Sequence, residues 1–451
     1  MGSRWILSLR KRLTERSFNM HILFLCHYFP PEVNAPATRT YEHCRRWVAA
    51  GHRVTVITSA PNCPDGVVYE GYSNRWRSSE QVDGIRVIRV WTYVAPNKGF
   101  FGRICNYISY MLTATMAAVG TRDVEVVVAT SPQFFCGWAG ALSSWLLRRP
   151  FVLEIRDIWP ESIVAVGAMK QSRIIRLLEW LERRLYRSAK QIVTVGEGYR
   201  GELQQRGVPA ERITVVPNGV DLPQFSIHEN RVELKSKWNS AGKFVCGYVG
   251  TVGMAHGLEV VLDAAEQLEK QLGADVVFWI VGDGADRERL EREAARRRLT
   301  SVRFTGRVAK SEIPTLLANC DACLVHLRGT DLFGTVIPSK IFEAMAMNVP
   351  IIIGVRGSAC DIVLEAGAGV AMTPDDPKSL LRGIEAVRAR REGFTGGRRY
   401  VEAHFNRDML ATEMLELIAR FSLSGNGSAE ARRVERLRSA TDERGNTRKA
   451  A

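Results

Sequence analysis

Short apolar runs separated by helix-forming stretches occur in two series along this chain, and that alternation restricts the possible folds more than any other feature. The first series comprises residues 20–25, 53–58, 85–90, 124–129, 150–155 and 191–195, each rich in Val, Ile, Leu or Phe. The second comprises 243–249, 276–281, 302–306, 322–327 and 350–353. Runs of this length and composition read as strands buried on both faces, and stretches such as 38–50 and 138–147 read as the helices between them. The pattern predicts parallel sheets and an α/β fold. A chain of 451 residues exceeds what one core usually serves, so the two series predict two Rossmann-like domains with a cleft between them. The turn-rich segment 216–221 (Val-Pro-Asn-Gly-Val-Asp) is the natural junction. The expected organisation is an N-terminal extension over 1–19, domains over 20–215 and 222–400, a crossover helix over 401–423 returning to the first domain, and a polar tail over 424–451. Ligands of open α/β sheets bind beyond the carboxyl ends of the strands, so the loops following these runs are where function is expected.

Composition narrows the partners. An apolar fraction of 46% with 24% charged residues is ordinary for a soluble globular protein. Nine cysteines, an odd number scattered along the chain, argue for a reducing cytosol over a disulfide framework. Cys320-Asp-Ala-Cys323 stands without a second pair or nearby histidines, so it predicts no metal. No secretory signal is evident in 1–19, and Met20 directly precedes the first strand. The net charge of +14 asks for an anionic partner. Nucleic acid is disfavoured, because no basic stretch is interleaved with stacking aromatics. The segment 173–187 has the spacing of an amphipathic helix with a cationic side, which reads either as a contact with an anionic membrane or as a packed surface helix. The stretch 98–118 is apolar with a basic start but too short and hydroxyl-rich to span a bilayer; it reads as an interfacial contact or a core helix.

The strongest local signal is Thr335-Val-Ile-Pro-Ser-Lys-Ile-Phe-Glu-Ala-Met-Ala. Pro338 suits the first turn of a helix, where its missing N–H costs nothing. Ser339 and Lys340 set a hydroxyl and a cation beside the unpaired N–H groups of that turn, which favour an anion. Glu343, about a turn further on, has the chemistry to accept hydrogen bonds from a diol. Together these suggest a nucleotide-sugar pocket; a plain buried helix is the other reading. In Gly250-Thr-Val-Gly-Met-Ala-His-Gly257 the glycines permit close approach of backbone to phosphate ahead of a helix expected near Leu258. The spacing is not that of a dinucleotide fingerprint. Gly282-Asp-Gly284 reads as a strand-end turn or as a ligand contact.

These motifs, with Phe304-Thr-Gly-Arg-Val and Arg156-Asp-Ile-Trp-Pro-Glu-Ser, together resemble the retaining GT-B glycosyltransferases of the GT4 family over roughly residues 20–420. His27-Tyr-Phe-Pro-Pro-Glu, Asn34-Ala-Pro-Ala-Thr-Arg, Pro61-Asn-Cys-Pro and Gly71-Tyr look like its WbuB-type branch, whose members act as N-acetyl-L-fucosaminyltransferases or related enzymes of bacterial surface polysaccharide. The resemblance implies that Glu343 holds the donor ribose. It also implies that Thr335 stands where the family has its first glutamate, facing the donor sugar. Thr335, Ile337, Pro338, Ser339 and Lys340 would meet sugar and diphosphate, and the backbone at Arg307 and Val308 would meet the nucleobase. Relatives carry an Arg and a Lys near Gly250, Thr251 and Gly253 that clamp the diphosphate; here the cationic role would pass to Lys340, with His256 as a second contact. On the acceptor side the resemblance places Asn34, Arg39 and Glu161. Arg156 aligns with an acceptor-side histidine of the family; as an arginine it serves as a clamp, not a base, with Asp157 beside it. A structural pairing of Arg156 with Asp157 is the alternative.

The mechanism so implied uses no protein nucleophile: an ion pair forms on one face, the leaving diphosphate takes the acceptor proton, and Arg156, Asp157 and Lys340 position and stabilise. No cofactor and no divalent ion are expected, since Asp375-Asp376 does not resemble a metal-binding D-x-D. The implied partners are a nucleotide-sugar, UDP-linked by expectation, and a polyprenyl-diphosphate-linked saccharide met by peripheral contact at the inner face of the bacterial membrane. A nucleotide-sugar 2-epimerase of the same fold, or a non-catalytic nucleotide-sugar-binding relative, are the alternatives.

Overall fold

The computed structural model of the chain describes residues 19–422, except Pro64, 96–99, Pro132, 159–172, 227–231, 272–274, 331–332 and 391–392. The expected N-terminal extension and tail therefore lie almost wholly outside the described residues, as does Glu161.

Two compact units are present. Among the described residues, one comprises Asn19–Val195, Tyr199–Val216 and Ala411–Ser422; the other comprises Gly196–Gly198 and Pro217–Leu410. The division falls within the predicted junction at 216–221.

The first unit is an eight-stranded sheet: β1 (His21–Leu25), β2 (Arg53–Ser59), β3 (Arg77–Val82), β4 (Ile85–Val90), β5 (Val126–Thr130), β6 (Phe151–Ile155), β7 (Gln191–Thr194) and β8 (Ile213–Val215). Its order is β3-β4-β2-β1-β5-β6-β7-β8. All pairs are parallel except β3 against β4. The antiparallel β3 was not predicted. Its alternation of exposed and half-buried residues is that of an edge strand lacking the continuous apolar run that marked the others. Helices Phe100–Val119 and Phe134–Leu147 pack along each other, and the latter against β5 and β6. Tyr110, Phe151, Leu153 and Ile192 lie in the core they cover.

The second unit is a six-stranded, all-parallel sheet of β9 (Phe244–Val249), β10 (Val276–Val281), β11 (Val302–Gly306), β12 (Ala322–His326), β13 (Ile351–Gly354) and β14 (Gly369–Ala371). The order β11-β10-β9-β12-β13-β14 is the doubly wound arrangement, with its topological switch between β9 and β12. Alternate residues of β9 and β10 feed separate cores on the two faces: Val245 and Trp279 on one, Cys246 and Phe278 on the other.

The expected crossover helix over 401–423 is two helices, Gly396–His404 and Arg407–Ser422. The second reaches the first unit, where the Trp47 indole N–H donates to the Ala411 carbonyl at 2.9 Å and the Ser422 hydroxyl to Glu125 at 2.5 Å.

Candidate functional site

At the switch point of the second sheet, Gly250, His256, Lys340 and Glu343 of the predicted donor residues are brought together. The loop 250–257 leaves the carboxyl end of β9, and the chain beyond β12 runs to the helix Lys340–Ala346. That helix begins two residues later than Pro338 suggests. Ser339 is its N-cap, without a side-chain capping bond, and Glu343 lies in its first turn.

Lys340 is the focus. Its Nζ is buried, makes no hydrogen bond among the described residues, and lies 3.7 Å from the centroid of the Tyr248 ring. Burial depresses its pKa to about 8, against the opposing influence of Cys323 and Glu343. A buried ammonium held only by a ring face is costly without a partner anion. Gly250 makes the space: at φ +142° it has no side chain, and a Cβ there would come within 2.7 Å of Nζ. Gly282 is needed for a different reason, since a Cβ on it would meet the Gly250 carbonyl at 1.9 Å. Gly282-Asp-Gly284 thus lets the loop after β10 pack directly on the phosphate-loop candidate, a structural duty that accounts for the motif.

Burial raises the Glu343 carboxyl, while Arg407, Lys310 and Lys340 pull the other way. A cation and an acid thus stand about one turn apart at this helix start. Thr335, Ile337, Pro338 and Ser339 are half-buried, and Arg307 and Val308 follow β11, with the Arg307 guanidinium 4.0 Å from the Asp283 carboxylate.

The turn Met254–His256 is fixed by residues that sequence reasoning did not single out. The His326 Nδ1–H donates to the His256 carbonyl at 2.7 Å, while its Nε2 accepts from the Asp375 amide at 3.0 Å. Arg328 donates to the Met254 carbonyl at 2.7 Å, and its amide to that of Ala255 at 2.9 Å. Thr251 and Gly253 frame the turn, and the Tyr248 hydroxyl donates to the Thr251 carbonyl at 2.5 Å. His256 needs correction as a cationic contact. Burial, with Lys340 and His326 adding to it, drives its pKa down to about 4, so it is a neutral imidazole at physiological pH. It can offer a hydrogen bond but not a charge.

In the first unit the predicted acceptor-side residues divide. Asn34 caps the helix Ala35–Ala49, its side chain accepting from the Ala37 amide at 2.9 Å. That helix therefore starts three residues earlier than expected. Arg39 is buried, donating to Glu154 at 2.7 Å and to the Val216 carbonyl at 2.8 Å. Arg39 is thus a buried cation one turn inside the helix and not at its opening. Burial alone would raise Glu154, but Arg39, then Arg156 and His43, bring its carboxyl down to about 2. Arg156 also donates to the Ala35 carbonyl at 3.1 Å, and Asp157 is half-buried beside it.

Cys320 and Cys323 are buried thiols whose pKa values are raised by burial. Among the described residues no cluster of His, Cys, Asp or Glu is arranged to hold a metal ion. Asp376 caps the helix Pro377–Ala389, and Asp375 accepts from the Gly329 amide.

Residues 34–219 match the glycosyl transferase 4-like domain, and residues 230–392 match the glycosyl transferases group 1 domain. The chain belongs to the GT4 glycosyltransferases. It is 25% identical over 411 residues to WcaI of Escherichia coli K12, described as a colanic acid biosynthesis glycosyl transferase, covering 88% of this chain and 99% of the relative. It is 26% identical over 283 residues to the glycosyltransferase WbjE of Pseudomonas aeruginosa, covering 62% of this chain and 70% of the relative. Among solved structures, Anabaena HepE in complex with UDP and glucose superposes with a TM-score of 0.67 at 20% identity, covering 89% of this chain and all (100%) of that one. WaaG, a glycosyltransferase involved in lipopolysaccharide biosynthesis, gives 0.64 at 16%, covering 88% and 99%. These likenesses establish the GT-B fold.

Proposed function

We propose that this enzyme transfers a sugar, with retention and without a metal ion, from a UDP-linked donor to a lipid-linked saccharide in bacterial surface polysaccharide synthesis. The observation that carries the donor half is the buried, unbonded Lys340 ammonium between Gly250 and the Tyr248 ring, with Glu343 one turn away. A diphosphate supplies the counter-charge this cation lacks, and it accumulates negative charge as the glycosidic bond breaks, where a fixed cation is most effective. HepE bound to UDP and glucose supports a UDP donor. WcaI and WbjE support the polysaccharide context. The sugar we favour is an N-acetylated deoxyhexosamine such as L-FucNAc, on the resemblance of the N-terminal motifs to the WbuB-type branch. Arg156 and Asp157 are proposed to face the acceptor, with Asn34 and Glu161.

A peripheral contact on the cytoplasmic face of the membrane is part of the proposal. No described helix is long and apolar enough to cross a bilayer. The helix Arg173–Ser188 exposes Leu177 and Trp180 beside several arginines, and the Arg184 guanidinium stacks over Trp180 at 4.5 Å. Calorimetry of the protein against UDP, GDP and dTDP, with and without EDTA, tests the donor reading. EDTA-insensitive binding of UDP that is lost in Glu343→Ala is the expected result. Selective binding of GDP or dTDP would replace the base, and binding abolished by EDTA would refute metal independence.

A further inference from the structure

The helices Phe100–Val119 and Phe134–Leu147 lead into the parallel strands β5 and β6, so both end at the amino rim of the first sheet, away from the loops that follow its strands. Their last turns are apolar where they meet water. Leu112, Met116 and Val119, at spacings of four and three residues along one face, are 54, 60 and 51% exposed, and Trp145 and Leu146 are 75 and 48% exposed. Trp145 is more exposed than Trp180 at 44%, which the sequence pattern had pointed to. Five exposed apolar side chains thus lie on two helices that pack along each other, more than the single scatter normal for a surface. Arg148 and Arg149 follow it directly and are exposed.

The chain leads from Val119 directly into the wall of a cavity. Gly120 and Arg122, immediately beyond Val119, line a hollow of about 420 Å³ at the same rim. Arg53 and Arg86, from the first residues of β2 and β4, complete its basic lining, together with the Thr55 and His21 side chains, which bond each other at 2.8 Å. Asp123 is the acid there, 3.7 Å from Arg53 with both side chains largely in water, a pairing of little strength. Three arginines against one aspartate leave a net positive hollow, and burial, with Arg53 nearby, lowers the His21 pKa.

We propose that this rim docks on an anionic phospholipid bilayer, the arginine-lined hollow receiving a phosphodiester headgroup and the Leu112–Met116–Val119–Trp145–Leu146 edge lying among the first acyl methylenes. Charge complementarity selects this occupant: an apolar edge bordered by guanidinium groups matches the boundary between headgroup and hydrocarbon, where tryptophan also partitions. The proposal rests on the reading that the enzyme works at a membrane, and it names an anchoring surface, on the rim opposite the acceptor-side loops, and its lipid class.

The test is co-sedimentation of the full chain with vesicles of phosphatidylcholine alone and of phosphatidylcholine with phosphatidylglycerol. Wild type is expected to sediment only with the latter. Arg53→Ser/Arg86→Ser/Arg122→Ser should weaken that binding roughly 100-fold, and Met116→Ser/Trp145→Ser roughly tenfold. All five substituted side chains are exposed, so melting temperatures should stay at the wild-type value. Binding that ignores lipid charge, or variants that sediment like wild type, would overturn the proposal. Transfer to a short-chain, water-soluble acceptor separates the two readings. Activity there without vesicle binding defeats the docking surface alone, whereas vesicle binding without any UDP binding or transfer defeats the catalytic reading alone.

Discussion

The two units each bury a cation near the carboxyl ends of their sheets, and they treat it in opposite ways. In the first, Arg39 bonds Glu154 and a backbone carbonyl, and the carboxyl is held far below its ordinary range. In the second, Lys340 is buried against an aromatic face with no hydrogen bond, and its own pKa falls instead. A satisfied buried charge belongs to the architecture. An unsatisfied one destabilises the fold and is retained where a ligand completes it.

The contrast is broken most severely at Glu154. Glu154→Ala should leave Arg39 buried without its carboxylate and cost about 3–5 kcal/mol in denaturant unfolding, with UDP affinity of the folded fraction unchanged. Lys340→Met should do the reverse. UDP binding weakens about 10- to 100-fold, the value of one charge-assisted hydrogen bond, while the melting temperature holds or rises because an unpaired buried charge is gone. Gly250→Ala sharpens the point without touching a charge: at φ +142°, with its new Cβ 2.7 Å from Nζ, it should displace the ammonium and weaken UDP roughly tenfold by calorimetry. Acid separates the two sites last. The Glu154 pKa is lower in the folded state, about 2 against an ordinary 4.5, so its contribution is complete above the unfolded value and is lost as pH falls from there toward 2. Equilibrium unfolding of wild type between pH 5 and 3 should lose more stability than Glu154→Ala over the same window.

How far this could be read from sequence follows from where the information lies. The parallel strands were legible because burial on both faces writes a continuous apolar run, as in Val276–Val281. The edge strand Arg77–Val82, half in water, and the three-residue strands Ile213–Val215 and Gly369–Ala371 write none. Asn34-Ala-Pro does carry a helix-start signature, an N-cap followed by proline, which would have moved the first helix to Ala35. Lys340, Glu343 and the glycines were legible as motif. What was not legible is electrostatic and non-local: that the Lys340 ammonium is buried over Tyr248, that His256 is neutral, and that His326 and Arg328 hold a turn some 70 residues away in sequence. Those depend on which loops the switch point brings together.

The most direct test of the Lys340 assignment is UDP affinity as a function of pH in wild type and Lys340→Met. The terminal phosphate of UDP ionises at about pH 6 and its uracil N–H only above about pH 9, so between about pH 7.5 and 8.5 the change reports the protein. Wild-type affinity should fall as pH rises through about 8, where the free enzyme loses the ammonium proton, and the variant should bind weakly with a flat profile. A variant that binds UDP as tightly as wild type, with the same pH dependence, would contradict the account.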